Sequence, residues 1–132
     1  MNPIVAKIGE ASEILVESGA DLSRALSKAR ELSGRIGRLG IITLEATPGG
    51  QLSLVVGGDE SVLSFQETLD PPYYASKGAS EEDQPFMECF LFFEHHTEFS
   101  RSAVISSAIS EQAAFEFLET RRRPQCVQWQ EV

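Results

Sequence analysis

The chain has 132 residues, 42% of them hydrophobic and 23% charged, which is the balance of one folded domain and excludes a disordered or fibrous chain. Asp and Glu number 20 against 11 Lys and Arg, a net charge of −9, so the surrounding field repels phosphate backbones and anionic lipid while attracting basic surfaces. Cys89 and Cys126 stand far apart without a CxxC pattern, which excludes a recognisable zinc motif or disulfide framework and suits a reducing cytosol.

The N-terminal residues lack a basic stretch leading into a long apolar one, and no apolar run reaches the roughly 18 residues of a membrane span, so a cytoplasmic location is expected. Two short apolar runs, Ile4–Ile8 and Ile14–Val16, read as strands. From Leu22 the pattern changes: Leu22, Ala25, Leu26, Ala29, Leu32 and Ile36 recur at spacings of three and four and predict one helical face, with Asp21 as N-cap and Gly34, Gly37 and Gly40 closing the helix. Ile41–Thr47 and Gln51–Val56 are rich in β-branched residues and flank Pro48-Gly49-Gly50, which predicts a hairpin. Gly57-Gly58-Asp59-Glu60 forms the next turn, and Val62 and Phe65 belong to a third strand that completes a meander.

Pro71 to Pro85 carries three prolines, Gly78 and the cluster Glu81-Glu82-Asp83, and reads as an exposed loop. Phe86–Phe93 reads as a central apolar strand holding Cys89 as a small buried hydrophobe, with a turn at His95-His96-Thr97 and a further strand over Glu98–Ile105. Ile109, Ala113, Phe117 and Leu118 predict a second helix, capped by Ser110, ended by Arg121–Arg123 and stopped by Pro124. Cys126-Val127-Gln128-Trp129 is β-prone and reads as a short final strand. The expectation is therefore a single α+β domain over residues 1–132: a mainly antiparallel sheet, a helix after the N-terminal strands, a C-terminal helix packed on the sheet and a short last strand.

Catalytic spacings are absent: the sequence holds no GxSxG, HExxH or phosphate-cradling loop, and no catalytic or cofactor-binding residue is assigned. His95 and His96 are adjacent, so on an extended chain they point to opposite faces and cannot both serve one metal; no metal site is expected. Tyr73 and Tyr74 either anchor a loop or offer an aromatic contact. Asp59, Glu60, Glu81, Glu82 and Asp83 lie in predicted turns or loops, where carboxylates are solvated at little cost. Alternatively they occupy a basic cleft in place of nucleic-acid phosphates.

The run from Ala113 to Trp129, with Phe117-Leu118, Thr120, Arg123-Pro124 and Val127-Gln128-Trp129, resembles the ending of the Imm-one family of bacterial polymorphic-toxin immunity proteins. Tyr74-Ala75-Ser76-Lys77-Gly78 is similar to that family's Tyr-x-Ser-x-Gly segment. Arg121 departs from the glycine common after Thr120, and an arginine resists the left-handed conformation that glycine allows there. The resemblance implies a non-enzymatic protein that binds and inhibits a cognate toxin, often a nuclease or nucleic-acid deaminase, and the net charge of −9 suits a basic one. Loop position and charge then nominate Asp59, Glu60, Tyr74, Glu81, Glu82 and Asp83 as partner contacts. A secretion chaperone or effector adaptor is the alternative binding reading. A small hydrolase using Glu94, His95, His96 and Glu98 is the enzymatic one.

Overall fold

The computed structural model describes residues 3–132. Strands β1 (Ile4–Gly9) and β2 (Ser12–Val16) form an antiparallel hairpin, followed by helix α1 (Gly19–Ile36). Next come β3 (Gly40–Ala46), β4 (Gly50–Val56), the short β5 (Glu60–Ser61), β6 (Leu63–Gln66) and β7 (Tyr73–Lys77). The hairpin β8 (Met87–Leu91) and β9 (His95–Phe99), a 3₁₀ turn at Arg101–Ala103, β10 (Ile105–Ser106), helix α2 (Ser107–Thr120) and β11 (Gln128–Glu131) complete the order. This is the α+β arrangement expected from the sequence.

The main sheet runs β11-β7-β6-β4-β3-β1-β2, with β3, β4 and β6 as the predicted meander. One edge of β3 is shared, antiparallel to β1 at Thr43–Glu45 and parallel to β8 at Gly40 and Ile41. Period-two alternation makes both faces apolar. Ile42, Leu44, Leu52, Leu54, Leu63 and Phe65 join α1, α2 and the N-terminal hairpin in the larger core. Ile41, Val55 and Ala75 face the other way and are covered by Met87, Cys89, Ala103 and Val104.

Several expectations are corrected. Pro71 to Pro85 is not all loop, because Tyr73–Lys77 forms β7 and pairs with both β6 and β11. The strand expected over Phe86–Phe93 is shorter and lies beside one end of β3; Phe86 is exposed. His95, His96 and Thr97 are within β9, and the chain reverses earlier, at Phe92 and Phe93. Glu98–Ile105 is split between the end of β9, the 3₁₀ turn and β10. The last strand is Gln128–Glu131, two residues later than Cys126–Trp129.

The Phe92-Phe93 reversal is unusual for its residue types. Both have left-handed backbones, φ 53° and 65°, where Asn or Gly is the usual occupant. Tertiary contacts hold it: Phe92 N–H donates to Ile41 O at 3.1 Å, and the Phe93 ring, 4% exposed, fills the space that a side chain at Gly40 would occupy.

In α1 the stripe Leu22, Ala25, Leu26 and Ala29 is buried, but Ile36 is exposed and Ser33 is buried in its stead, its hydroxyl donating to Arg38 O at 2.7 Å. The N-cap is Ser18, which accepts from Asp21 N–H; the Asp21 carboxylate instead accepts from Glu17 N–H, so both side chains satisfy free amides of the helix entrance. Gly37, at φ 83°, ends the helix, while Gly34 lies within it and Gly40 opens β3. A side chain at Gly34 meets nothing within 4 Å, so Gly34→Ala is expected to raise stability by about 0.5–1 kcal/mol in urea unfolding.

The N-cap of α2 is Ser106, not Ser110; Ser106 Oγ accepts from Ile109 N–H at 3.2 Å, whereas Ser110 is buried one turn inside with Ala113, Ala114 and Phe117. Arg121 ends α2 in the left-handed conformation, φ 59°, with its N–H donating to Phe117 O at 2.8 Å. The turn shape that glycine favours is thus retained, with Arg121 Nε also donating to Leu118 O at 3.3 Å.

Candidate functional site

The nominated carboxylates come together in part. The small ribbon β5–β10 carries Glu60 opposite Ser106, placing Asp59 and Glu60 beside the start of α2, where Asp59 O accepts from Ser107 N–H at 2.8 Å. Asp83 reaches the same region: its carboxylate accepts from Ser100 Oγ at 2.8 Å and its carbonyl from Arg101 N–H at 2.8 Å. Arg101, in turn, forms an ion pair with Glu60. Glu81 and Glu82 precede Asp83 on the same exposed segment.

Arg101 is therefore the joint of this surface, and sequence reasoning missed it, since its contact with Glu60 spans 41 positions. The pair is partly exposed, so its contribution to stability is small, but it fixes where the acidic segment lies. The carboxylates of Asp59, Glu81, Glu82 and Asp83 form no ion pair with a lysine or arginine among the described residues. Four of the five carboxylates are thus without a neutralising ion pair, near a backbone that Arg101 braces, an excess of negative charge of the kind that attracts basic groups.

Tyr74 does not join them. It pairs with Phe65 across β6–β7 and faces the helix side of the sheet, opposite to Ala75 and the 3₁₀ turn. There it is half-buried, with Arg123 over its ring at 4.2 Å, and helps line an open groove of about 790 Å³ with Phe65, Trp129, Arg122 and Pro72.

The residues that carried the family resemblance build the scaffold. Ser76 is fully buried; its hydroxyl accepts from Leu63 N–H at 3.0 Å and donates to Ala103 O at 2.7 Å, stitching β6 and β7 to the 3₁₀ turn. Gly78 lies so close to Val104 that a Cβ would come within 1.9 Å of its carbonyl oxygen, and Gly78 N–H donates to Ser102 O at 2.7 Å. Trp129 Nε1 donates to Pro124 O at 2.7 Å, and its ring tilts against Phe65 at 6.2 Å. The Ser76 and Gly78 contacts hold the 3₁₀ turn that carries Arg101, whereas the Trp129 contacts lie on the helix side of the sheet.

A family model described as Immunity protein Imm1 matches residues 10–131. The chain belongs to this Imm1 immunity protein family. The match extends well into the N-terminal third, where no motif carries a resemblance, and so takes in the β2–α1 layer as well as the C-terminal ending. Among curated proteins none matches the chain. The Imm1 domain also holds no helix, among its described residues, long and apolar enough to cross a membrane.

The groups that an enzyme would need are differently disposed. Cys89 is fully buried, and burial, reinforced by the neighbouring Glu88 charge, pushes its thiol up to about 12, so it stays protonated and is a poor nucleophile at neutral pH. The Cys126 thiol is also raised, first by burial and then by Glu116. The histidines are exposed and separate: His95 contacts Glu10 from the β1–β2 turn, and His96 contacts Glu88 on β8 at 3.1 Å.

Proposed function

We propose that this protein is a cytoplasmic inhibitor that neutralises a bacterial toxin acting on nucleic acid, a nuclease or a deaminase, by occluding it. Membership of the immunity family carries this reading. The net charge of −9 supports a basic target, because a cleft built to receive phosphates also attracts carboxylates. Asp59, Glu60, Glu81, Glu82 and Asp83 form the primary contact surface, and Tyr74, on the other side of the sheet, is a contact only for a partner that reaches the groove. Inhibition is by binding alone, with no cofactor and no bond made or broken.

The test pairs the full chain with the toxin encoded beside it. Co-expression is expected to rescue growth, and the two proteins are expected to co-purify with the toxin's activity on DNA or RNA suppressed. Glu81→Lys with Glu82→Lys is expected to weaken association by about 10- to 100-fold, chiefly through slower encounter at low salt. Asp83 is left intact in that variant because it accepts from Ser100. Rescue without complex formation, or a complex in which the toxin remains active, would count against inhibition, the latter favouring a chaperone; unchanged affinity in the double variant would move the interface off this surface.

A further inference from the structure

On the outer face of β8–β9, Glu88 and Glu98 are directly opposed in the antiparallel register, and His96 lies two residues from Glu98 on the same face. Like charges opposed across a ladder are destabilising, and neither carboxylate has a lysine or arginine partner among the described residues. One oxygen from each and a ring nitrogen of His96 all lie within 4.8 Å of one another. His96 Nε2 and Glu88 Oε2 are 3.1 Å apart, close to the roughly 3.4 Å that separates two ligands of a tetrahedral ion with bonds near 2.1 Å.

We infer that Glu88, His96 and Glu98 form a binding site for a divalent transition-metal ion of the Zn²⁺ class. The objection from the sequence, that adjacent histidines face apart, holds and is what creates the site: each histidine meets its own pair of carboxylates, His95 with Glu10 and Glu94, His96 with Glu88 and Glu98. The second cluster is the better framed, because all three ligands stand on two paired strands, whereas the first joins His95 to Glu10 and Glu94 from the turns of separate hairpins. The edge of Phe90, with ring centroids 5.4 Å apart, restricts the imidazole. Three protein ligands leave a fourth position to water, and the ion joins β8 to β9 by neutralising their opposed carboxylates.

Isothermal titration of the chelator-stripped full chain with ZnCl₂ tests this, using His95→Ala as background so that the other cluster is disabled. Saturable binding of one equivalent with micromolar affinity is expected, together with a rise in Tm on Zn²⁺ addition. Adding Glu98→Gln, a near-isosteric change at an exposed position, or His96→Ala is expected to lower affinity by about tenfold or more. The proposal is overturned by no saturation in the His95→Ala background, or by a loss of less than about threefold on either further substitution.

Discussion

Phe117→Ala is expected to lower the free energy of unfolding by about 3–5 kcal/mol, measured as a shifted urea midpoint. Phe117 is completely buried at the point where α2 crosses the sheet, and its ring meets Phe65 edge-on at 6.1 Å. Phe65 also carries the tilted Trp129 ring, so one truncation loosens the packing of β6, α2 and β11 together. The neighbours on α2 that share its buried stripe, Ala113 and Ala114, have no length to refill the space. Phe117→Leu, which keeps most of the volume, is expected to lose clearly less.

Gly78→Ala is expected to cost about 3 kcal/mol, the upper end of what overpacking exacts, although it adds only a methyl group. The obstacle is backbone rather than a flexible side chain, so the segment carrying Val104 must move, and the Gly78-to-Ser102 hydrogen bond moves with it. Faster hydrogen exchange at the Gly78 amide than in the parent would report that displacement. Because the 3₁₀ turn holds Arg101, the same substitution is expected to weaken toxin binding through the proposed contact surface without altering any of that surface's residues.

The elements legible in the sequence were those whose signal is local. Leu22, Ala25, Leu26 and Ala29 mark one face of α1 by spacing alone, and Pro48-Gly49-Gly50 announces the β3–β4 reversal by its dihedral preferences. Strand β7 was hidden because Pro71, Pro72 and Gly78 bracket only five residues; their turn character outweighed the strand between them. The β8–β9 turn was misplaced since Phe92-Phe93 contains no turn-forming residue, and tertiary burial overrides the local preference. Ser106 and Ser110 are equivalent cap candidates one turn apart, and only the packing of Ser110 into the core decides between them.

The candidate surface divides in the same way. Its carboxylates stood out as runs of like charge in turn regions, but their assembly depends on Arg101 meeting Glu60 and Asp83, contacts between distant positions that leave no trace in local composition. Tyr74 carried the right chemistry for a contact, yet strand alternation turned it to the other side of the sheet.

The paired phenylalanines at the tip of β8–β9 have a consequence for the order of assembly. Two bulky residues in a conformation that their own side chains oppose give this reversal little intrinsic tendency to form, so it is not expected to nucleate folding. Gly40 and Ile41 must already be set in β3 before the Phe93 ring has a seat and Phe92 an acceptor. The meander is therefore expected to come first, with the hairpin laid down on a finished floor.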